Sequence, residues 1–126
     1  MSQPQWLVKY SERQQATSQQ AIERATDIIL RATGKPRIYY TTRSRKVEFV
    51  AYRAIFAYLA VELGASYTDV GKALKRSHST AIHAYDTYTI YATTWEPLAT
   101  LREKVINLSN TKRNGKHRRN TTARTR

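Results

Sequence analysis

The sequence of 126 residues contains no cysteine, which excludes disulfides and thiolate metal sites. Its longest apolar run, residues 54–61, stops at Glu62 and is far shorter than the ~20 residues that a membrane span needs. The N-terminus lacks the basic region and apolar stretch of a signal peptide. These absences predict a soluble, cytoplasmic protein that is not inserted in a membrane.

Acidic residues are also scarce. Nine Asp and Glu stand against 22 Lys and Arg, which gives a formal net charge of +13. Such an excess indicates a polyanionic partner, either nucleic acid or an anionic membrane surface. Residues 111–126 contain seven of the basic residues and no acid. The remaining 110 residues still contain fifteen basic residues against nine acidic ones, so the body of the chain is basic as well.

Apolar residues recur at helical spacing along most of the chain, and no β-prone segment has an obvious partner strand. A first helix is expected from Ser18 until Gly34 and Pro36 end it. A connector of residues 35–46, with five basic residues and no acid, follows. The longest helix is predicted over residues 44–63 and supports the elements that come after it.

A last helix is expected after Thr94, which caps it, with Pro97 tolerated in its first turn. Its apolar residues follow the i, i+3, i+7, i+10 pattern of one helical face: Leu98, Leu101, Val105 and Leu108. The sequence therefore predicts a compact all-α domain over residues 18–110. A polar N-terminal arm (1–17) precedes it, and a disordered basic tail (111–126) follows.

Residues 66–85 carry the marks of two short helices joined by a tight turn. Ser66 can cap the first helix, with Asp69 three residues later, as in a capping box. Gly71 leaves room for a second helix to cross closely. Ser77 occupies the position where a second N-cap is needed. The pattern indicates a helix-turn-helix.

The start of the second helix suits DNA. A helix N-terminus offers free N–H groups and a partial positive charge to phosphate, and hydroxyls or an imidazole there can reach base edges in a major groove. His78 is therefore predicted to contact DNA. His83, flanked by Ile82 and Ala84, is expected to be a packed, hydrogen-bonded histidine. The two histidines are five residues apart, which is wrong for a zinc pair, so no metal or cofactor is predicted.

Two sequence patterns in residues 43–85 carry a family resemblance. The first is Arg53-Ala-Ile-Phe-Ala-Tyr-Leu-Ala60, and the second is Arg76-Ser-His-Ser-Thr-Ala-Ile-His-Ala84. They resemble the long helix and the Arg-Asp-His-Thr-Thr-Val-x-His-Ala signature of the C-terminal DNA-binding domain of the bacterial replication initiator DnaA. In that family a basic loop precedes the long helix, and a helix-turn-helix follows it. With the flanking helices, the similarity covers residues 18–110.

The resemblance implies roles for particular residues. The family's basic-loop arginine enters the minor groove, and Arg45 beside Lys46 matches it. Arg53 matches an arginine that contacts the DNA backbone, and Thr68 lies where family members touch phosphate. Other matched residues meet bases or phosphates in the major groove: Arg76, His78 and Thr80. The complete predicted DNA-binding set is Arg43, Arg45, Lys46, Arg53, Thr68, Lys72, Lys75, Arg76, Ser77, His78, Ser79 and Thr80.

The sequence also departs from the family pattern. Ser77 replaces the signature Asp, Ser79 replaces a Thr, and the turn is one residue shorter, with Lys75 in place of glycine. No phosphate-binding G-x-x-x-x-G-K-[ST] loop occurs, so ATP-driven origin melting by this chain alone is not expected. No nucleophile–base pair is suggested either, so the protein is not predicted to be an enzyme.

Three functions remain open at this stage. The first is sequence-specific binding of double-stranded DNA, at a replication origin or as a transcription regulator, by a nucleoid-associated protein of a type that fits a phage or plasmid. The second is nonspecific nucleic-acid or architectural binding that is driven by charge. The third is an adaptor that engages a replication or transcription partner through its N-terminal arm or last helix. The sequence does not indicate an oligomeric state.

Overall fold

The computed structural model describes the backbone of residues 5–117 and the side chains of residues 17–108. Over this part of the chain the fold is all-α, as predicted, with six helices and no strand. No helix in the described part is both long enough and apolar enough to cross a membrane. The helices are α1 (Gln5–Thr33), α2 (Ile38–Thr41), α3 (Val47–Glu62), α4 (Tyr67–Ala73), α5 (His78–Tyr91) and α6 (Glu96–His117).

Helix α3 lies at the centre of the fold and packs against each of the other helices. A helix that is covered on several sides needs apolar residues around most of its circumference. This explains why its buried residues extend well beyond one stripe: Ala51, Tyr52, Ala54, Ile55, Phe56, Ala57 and Ala60. The supporting role predicted for the long helix is confirmed.

Helices α1 and α6 cover one side of α3 and also contact each other. Leu98, on the apolar face predicted for the last helix, is fully buried, and so are Ala25 and Ile29 of α1. A polar contact ties α1 to the helix-turn-helix, because the Ser66 N–H donates to the buried Ser18 Oγ at 3.0 Å. The start of α4 is thereby fixed relative to the core.

Two helix boundaries differ from the prediction near the ends of the chain. Helix α1 begins at Gln5 rather than at Ser18, since no proline or glycine interrupts residues 5–33. Its end is as predicted, with Gly34 at a φ of 77° and its N–H donating to the Leu30 carbonyl. Helix α6 continues to His117, so residues 111–117 of the expected disordered tail are helical. The rest of that tail, residues 118–126, lies outside the described residues.

The predicted Thr94 cap of α6 is wrong. The helix begins at Glu96, and the Trp95 carbonyl accepts hydrogen bonds from the N–H groups of Leu98 and Ala99 at 3.0 and 2.9 Å. Trp95 therefore occupies the N-cap position. Pro97 lies in the first turn, as expected. Backbone N–H groups in this turn make no hydrogen bond within the helix, so proline, which lacks the N–H, is tolerated there.

The connector between α1 and α3 contains the one-turn helix α2, which the sequence did not predict. The buried Tyr40 ring anchors this helix by stacking on Phe56 of α3, with ring centroids 4.6 Å apart. Beyond α2 the backbone is extended, and α3 begins at Val47 instead of residue 44. The residues in between are held by side-chain hydrogen bonds that compete with helix formation.

Helices α4 and α5 form the predicted helix-turn-helix. The Ser66 Oγ accepts from the Asp69 N–H at 3.1 Å, and the Ser77 Oγ accepts from the Thr80 N–H at 3.4 Å, so both predicted N-caps are confirmed. Gly71 lies where the helices cross. A Cβ at this position would stand only 2.7 Å from the Ser77 carbonyl oxygen.

The turn between the two helices closes in a Schellman motif. The Arg76 N–H donates to the Gly71 carbonyl at 2.8 Å, and the Lys75 N–H donates to the Lys72 carbonyl at 3.0 Å. This geometry places Lys75 at a φ of 61°, a left-handed conformation that favours glycine. Lys75 thus replaces glycine at a position where glycine has a clear conformational advantage.

Candidate nucleic-acid interface

Residues 42–46, here called the basic loop, lie between α2 and α3, and two hydroxyl groups bond the backbone of this loop. The Thr42 Oγ1 accepts from the Ser44 N–H at 3.3 Å, and the Ser44 Oγ accepts from the Lys46 N–H at 3.2 Å. Hydroxyl side chains commonly bond the N–H two residues later in this way. Hydroxyl and basic side chains alternate over residues 42–45. The hydroxyls bond the loop backbone, and Arg43 and Arg45 remain exposed.

Two arginines from other elements bind the backbone of the basic loop. Arg53 of α3 donates from Nη1 to the Thr42 carbonyl and from Nη2 to the Ser44 carbonyl, both at 2.9 Å. Arg76, in the helix-turn-helix, donates from Nη2 to the same Thr42 carbonyl at 2.9 Å. Burial of the Arg53 guanidinium, and then the positive charge of Arg76, lower the pKa of Arg53.

A cleft of about 590 Å³ opens between the basic loop, α3 and α5. Four of its ten lining residues are arginines, one is a histidine, and none carries a carboxylate. A concave surface with one sign of charge attracts a polyanion. The lining residues are Arg43, Arg45, Val50, Arg53, Ala54, Arg76, Thr80, His83, Ala84 and Thr87.

Helix α5 presents one polar face to this cleft. Thr80, His83 and Thr87 recur at i, i+3 and i+7, the spacing of one helical face, and all three line the cleft. The expected packing of His83 in the core is wrong, because its side chain is exposed. Successive residues on a helix point about 100° apart, so the apolar residues Ile82 and Ala84 do not indicate whether His83 is buried.

His83 and Thr87 are the residues that sequence reasoning missed. The signal that could have found them is their spacing from Thr80, which is predicted to contact DNA. The buried face of α5 lies elsewhere, with Ala81 fully buried against the core. Thr87 also donates from its hydroxyl to the His83 carbonyl at 2.9 Å, which fixes its side chain in the cleft wall.

The structure divides the twelve predicted DNA-binding residues into two groups. One group lines the cleft: Arg43, Arg45, Arg53, Arg76 and Thr80. The other group lies exposed on the basic loop and the helix-turn-helix, outside the cleft lining: Lys46, Thr68, Lys72, Lys75, Ser77, His78 and Ser79. The DNA contact of each residue stays a prediction.

A tyrosine cluster on α3 and α5 is separate from the cleft lining. Tyr58 stacks on Tyr88 and Tyr85, with centroid distances of 4.0 and 5.6 Å. The Tyr85 hydroxyl donates to Glu62 at 2.6 Å, and this hydrogen bond to a carboxylate raises the pKa of Tyr85 to about 12. These stacked rings pack α3 and α5 together.

Comparison with protein families matches residues 22–87, more than half of the chain, to the helix-turn-helix of the bacterial DnaA protein. The chain belongs to this family. All the residues that line the cleft fall within the matched DnaA segment. Comparison with curated proteins and with solved structures gave no match.

Membership of the DnaA helix-turn-helix family implies that the protein binds double-stranded DNA. The DnaA domain of this type is a DNA-binding module and not a catalytic one. The matched segment begins in α1 and ends in α5, so it includes the basic loop, the supporting helix and both helices of the helix-turn-helix. Recognition of the family from the two sequence patterns is confirmed.

Proposed function

We propose that this protein recognises a specific double-stranded DNA sequence, at a replication origin or at a site of transcription regulation. The observation that carries the proposal is the cleft, which the basic loop and α5 flank and four arginines line. A DNA duplex that binds at this cleft can contact the basic loop and α5 at the same time. Phosphate contacts then position the protein, while base contacts supply the specificity.

The dimensions of α5 support this arrangement. With 14 residues the helix is about 21 Å long, and a major groove about 12 Å wide admits an α-helix. The exposed first turn, Ser77 to Ser79, offers two hydroxyls and the His78 imidazole to base edges. Arginines such as Arg43 and Arg45 are suited to a narrow minor groove, where the negative potential is strongest.

The target sequence is proposed to differ from that of the family. Ser77 stands in place of an acidic acceptor, and its hydroxyl also caps α5 through the Thr80 N–H. A hydroxyl both donates and accepts, whereas a carboxylate only accepts, so the two groups prefer different base edges. Ser79 lacks the methyl group of the family's threonine, which could pack on a thymine methyl.

Selection of binding sites from a random duplex library, with the full chain at near-physiological salt, tests the proposal. We expect one enriched motif, and its likeness to an initiator site distinguishes a replication role from a transcription role. Arg45→Ala and His78→Ala are each expected to weaken binding to that motif by about 1–3 kcal/mol. His78→Ala should also relax the preference at one base pair. Arg24→Ala, which removes an exposed charge outside the cleft lining, is the matched control.

Charge-driven binding without sequence preference is the competing function, and the net charge of +13 favours it. It predicts no enriched motif, a steep fall in affinity with salt, and loss of most binding when residues 111–126 are removed. Equal affinities of parent, Arg45→Ala and His78→Ala for the selected DNA would also contradict specific recognition. A replication or transcription partner for the N-terminal residues stays a prediction.

A further inference from the structure

We propose that Arg53 and Arg76 are positioning residues that hold the basic loop in its DNA-binding conformation. The inference rests on the proposed function, and it assigns to these two residues a role that differs from direct contact with DNA. The pair, here called the arginine clamp, consists of the Arg53 and Arg76 guanidinium groups and the Thr42 and Ser44 carbonyls that they bind.

The donor geometry supports a clamp. Arg53 uses both terminal nitrogens of its fork on two carbonyls of the loop, at 2.9 Å each. The Thr42 oxygen has two lone pairs and also accepts from Arg76, so one carbonyl joins α3 and the helix-turn-helix. Thr42 is the C-cap of α2, where a helix leaves carbonyls without an internal partner. The arginines satisfy this unpaired group.

The anchoring of Arg76 reinforces the pairing. Its Nη1 also lies 3.4 Å from the Leu74 carbonyl and 3.3 Å from the Lys75 carbonyl, which are longer and weaker contacts than the one to Thr42. The side chain therefore spans from the turn of the helix-turn-helix to the loop. A single residue thus links the basic loop to the turn that precedes α5.

Convergence of two guanidinium groups on one carbonyl places like charges close together. Burial is the larger cause of the lowered pKa of Arg53, and this repulsion from Arg76 is the smaller one. A loop that is ordered before binding avoids the loss of conformational entropy when DNA arrives. The clamp thus favours affinity by fixing the backbone that carries Arg43 and Arg45, although it leaves two positive charges near each other.

Arginine-to-lysine changes separate positioning from charge. Lysine keeps the positive charge but lacks the planar fork that binds two carbonyls at once. The first measurement uses the full chain without DNA and follows backbone amide order parameters of the basic loop by NMR. We expect values near the rigid limit of about 0.85 in the parent, and below about 0.6 in the double variant Arg53→Lys/Arg76→Lys. Arg31→Lys, at an exposed ion pair with Asp27, is the matched control.

Unchanged loop order parameters in the double variant overturn the clamp, whatever the protein binds. The helical amides of α3 and α5 report whether the variant remains folded. The NMR measurement needs no DNA, so it can refute the clamp independently of the proposed function. The proposed function fails instead if the parent protein selects no preferred duplex.

The second measurement is a double-mutant cycle on the selected DNA. If Arg53 acts through the loop, Arg53→Lys weakens binding by roughly five- to a hundredfold. The Arg45→Ala substitution should then reduce DNA affinity much less in the Arg53→Lys protein than in the parent protein. Additive losses, or an Arg53→Lys variant that binds like the parent, mean that Arg53 does not act through the loop, and overturn the proposal.

Discussion

Replacement of Gly71 by alanine is expected to disturb both the stability and the DNA affinity of the protein. The added Cβ would lie 2.7 Å from the Ser77 carbonyl oxygen, 2.8 Å from the Ser77 carbonyl carbon and 3.0 Å from the His78 nitrogen. All three are backbone atoms, so no flexible side chain can yield. Ser77 and His78 begin α5, and the Ser77 carbonyl accepts the first bond of that helix from the Ala81 N–H.

The size of the effect follows from this geometry. The start of α5 must retreat by roughly 0.7 Å to reach ordinary contact distance. Overpacking of this kind costs about 1–3 kcal/mol, and the gain from alanine over glycine within a helix offsets about 0.5–1 kcal/mol of it. The net loss in the free energy of unfolding is at most about 2.5 kcal/mol, with a central value of about 1 kcal/mol that corresponds to a decrease in Tm of about 4 °C.

Thermal unfolding and titration with the selected duplex measure the two effects. Gly34→Ala is the control, since Gly34 also adopts a special conformation, at a φ of 77°, but has no atom within 4 Å of the built Cβ. It should lower stability by about 1 kcal/mol through backbone strain alone and leave DNA affinity unchanged. A Gly71→Ala protein that melts at or above the parent's Tm, with unaltered affinity, refutes the reasoning.

Three further changes test the local structure. Ser77→Ala removes the cap on the Thr80 N–H and should lower the urea-unfolding free energy by about 1 kcal/mol; an unchanged value contradicts the cap. Lys75→Gly relieves the left-handed backbone and should raise the unfolding free energy by about 0.5–1 kcal/mol, whereas Lys75→Ala, which removes the charged side chain but keeps the Cβ, should not. The bond to Glu62 raises the Tyr85 pKa from 10.0 to about 12, so its stabilisation is complete below pH 10 and is lost as the pH rises to about 12. The stability difference between parent and Tyr85→Phe should shrink over that range, and a constant difference contradicts the bond.

Local rules predicted the helix-turn-helix well. The caps at Ser66 and Ser77 and the close crossing at Gly71 depend on residues within a few positions of each other, so their chemistry is visible in the sequence. The same holds for the end of α1 at Gly34. Where a structure follows from neighbouring residues, sequence patterns describe it accurately.

The features that sequence reasoning missed depend on contacts between distant residues. The carbonyls that Arg53 and Arg76 bind lie up to 34 positions away in the chain, so only the folded structure brings them together. The exposure of His83 likewise depends on which face of α5 packs against α3. The apolar residues next to it in the sequence wrongly indicated a packed histidine. Helix α2 is anchored by the stacking of Tyr40 on Phe56 of α3, and this contact cannot be predicted from the sequence of either helix alone.

We propose that DNA binds at the cleft between the basic loop and α5. Amide chemical-shift mapping of the full chain during titration with the selected duplex tests it most directly. We expect the largest changes at Arg43, Arg45, the first turn of α5 and His83, with α1 unaffected. Changes confined to α6 and the basic residues that follow it would contradict the claim, because they would show that charge at the end of the chain binds DNA while the cleft does not.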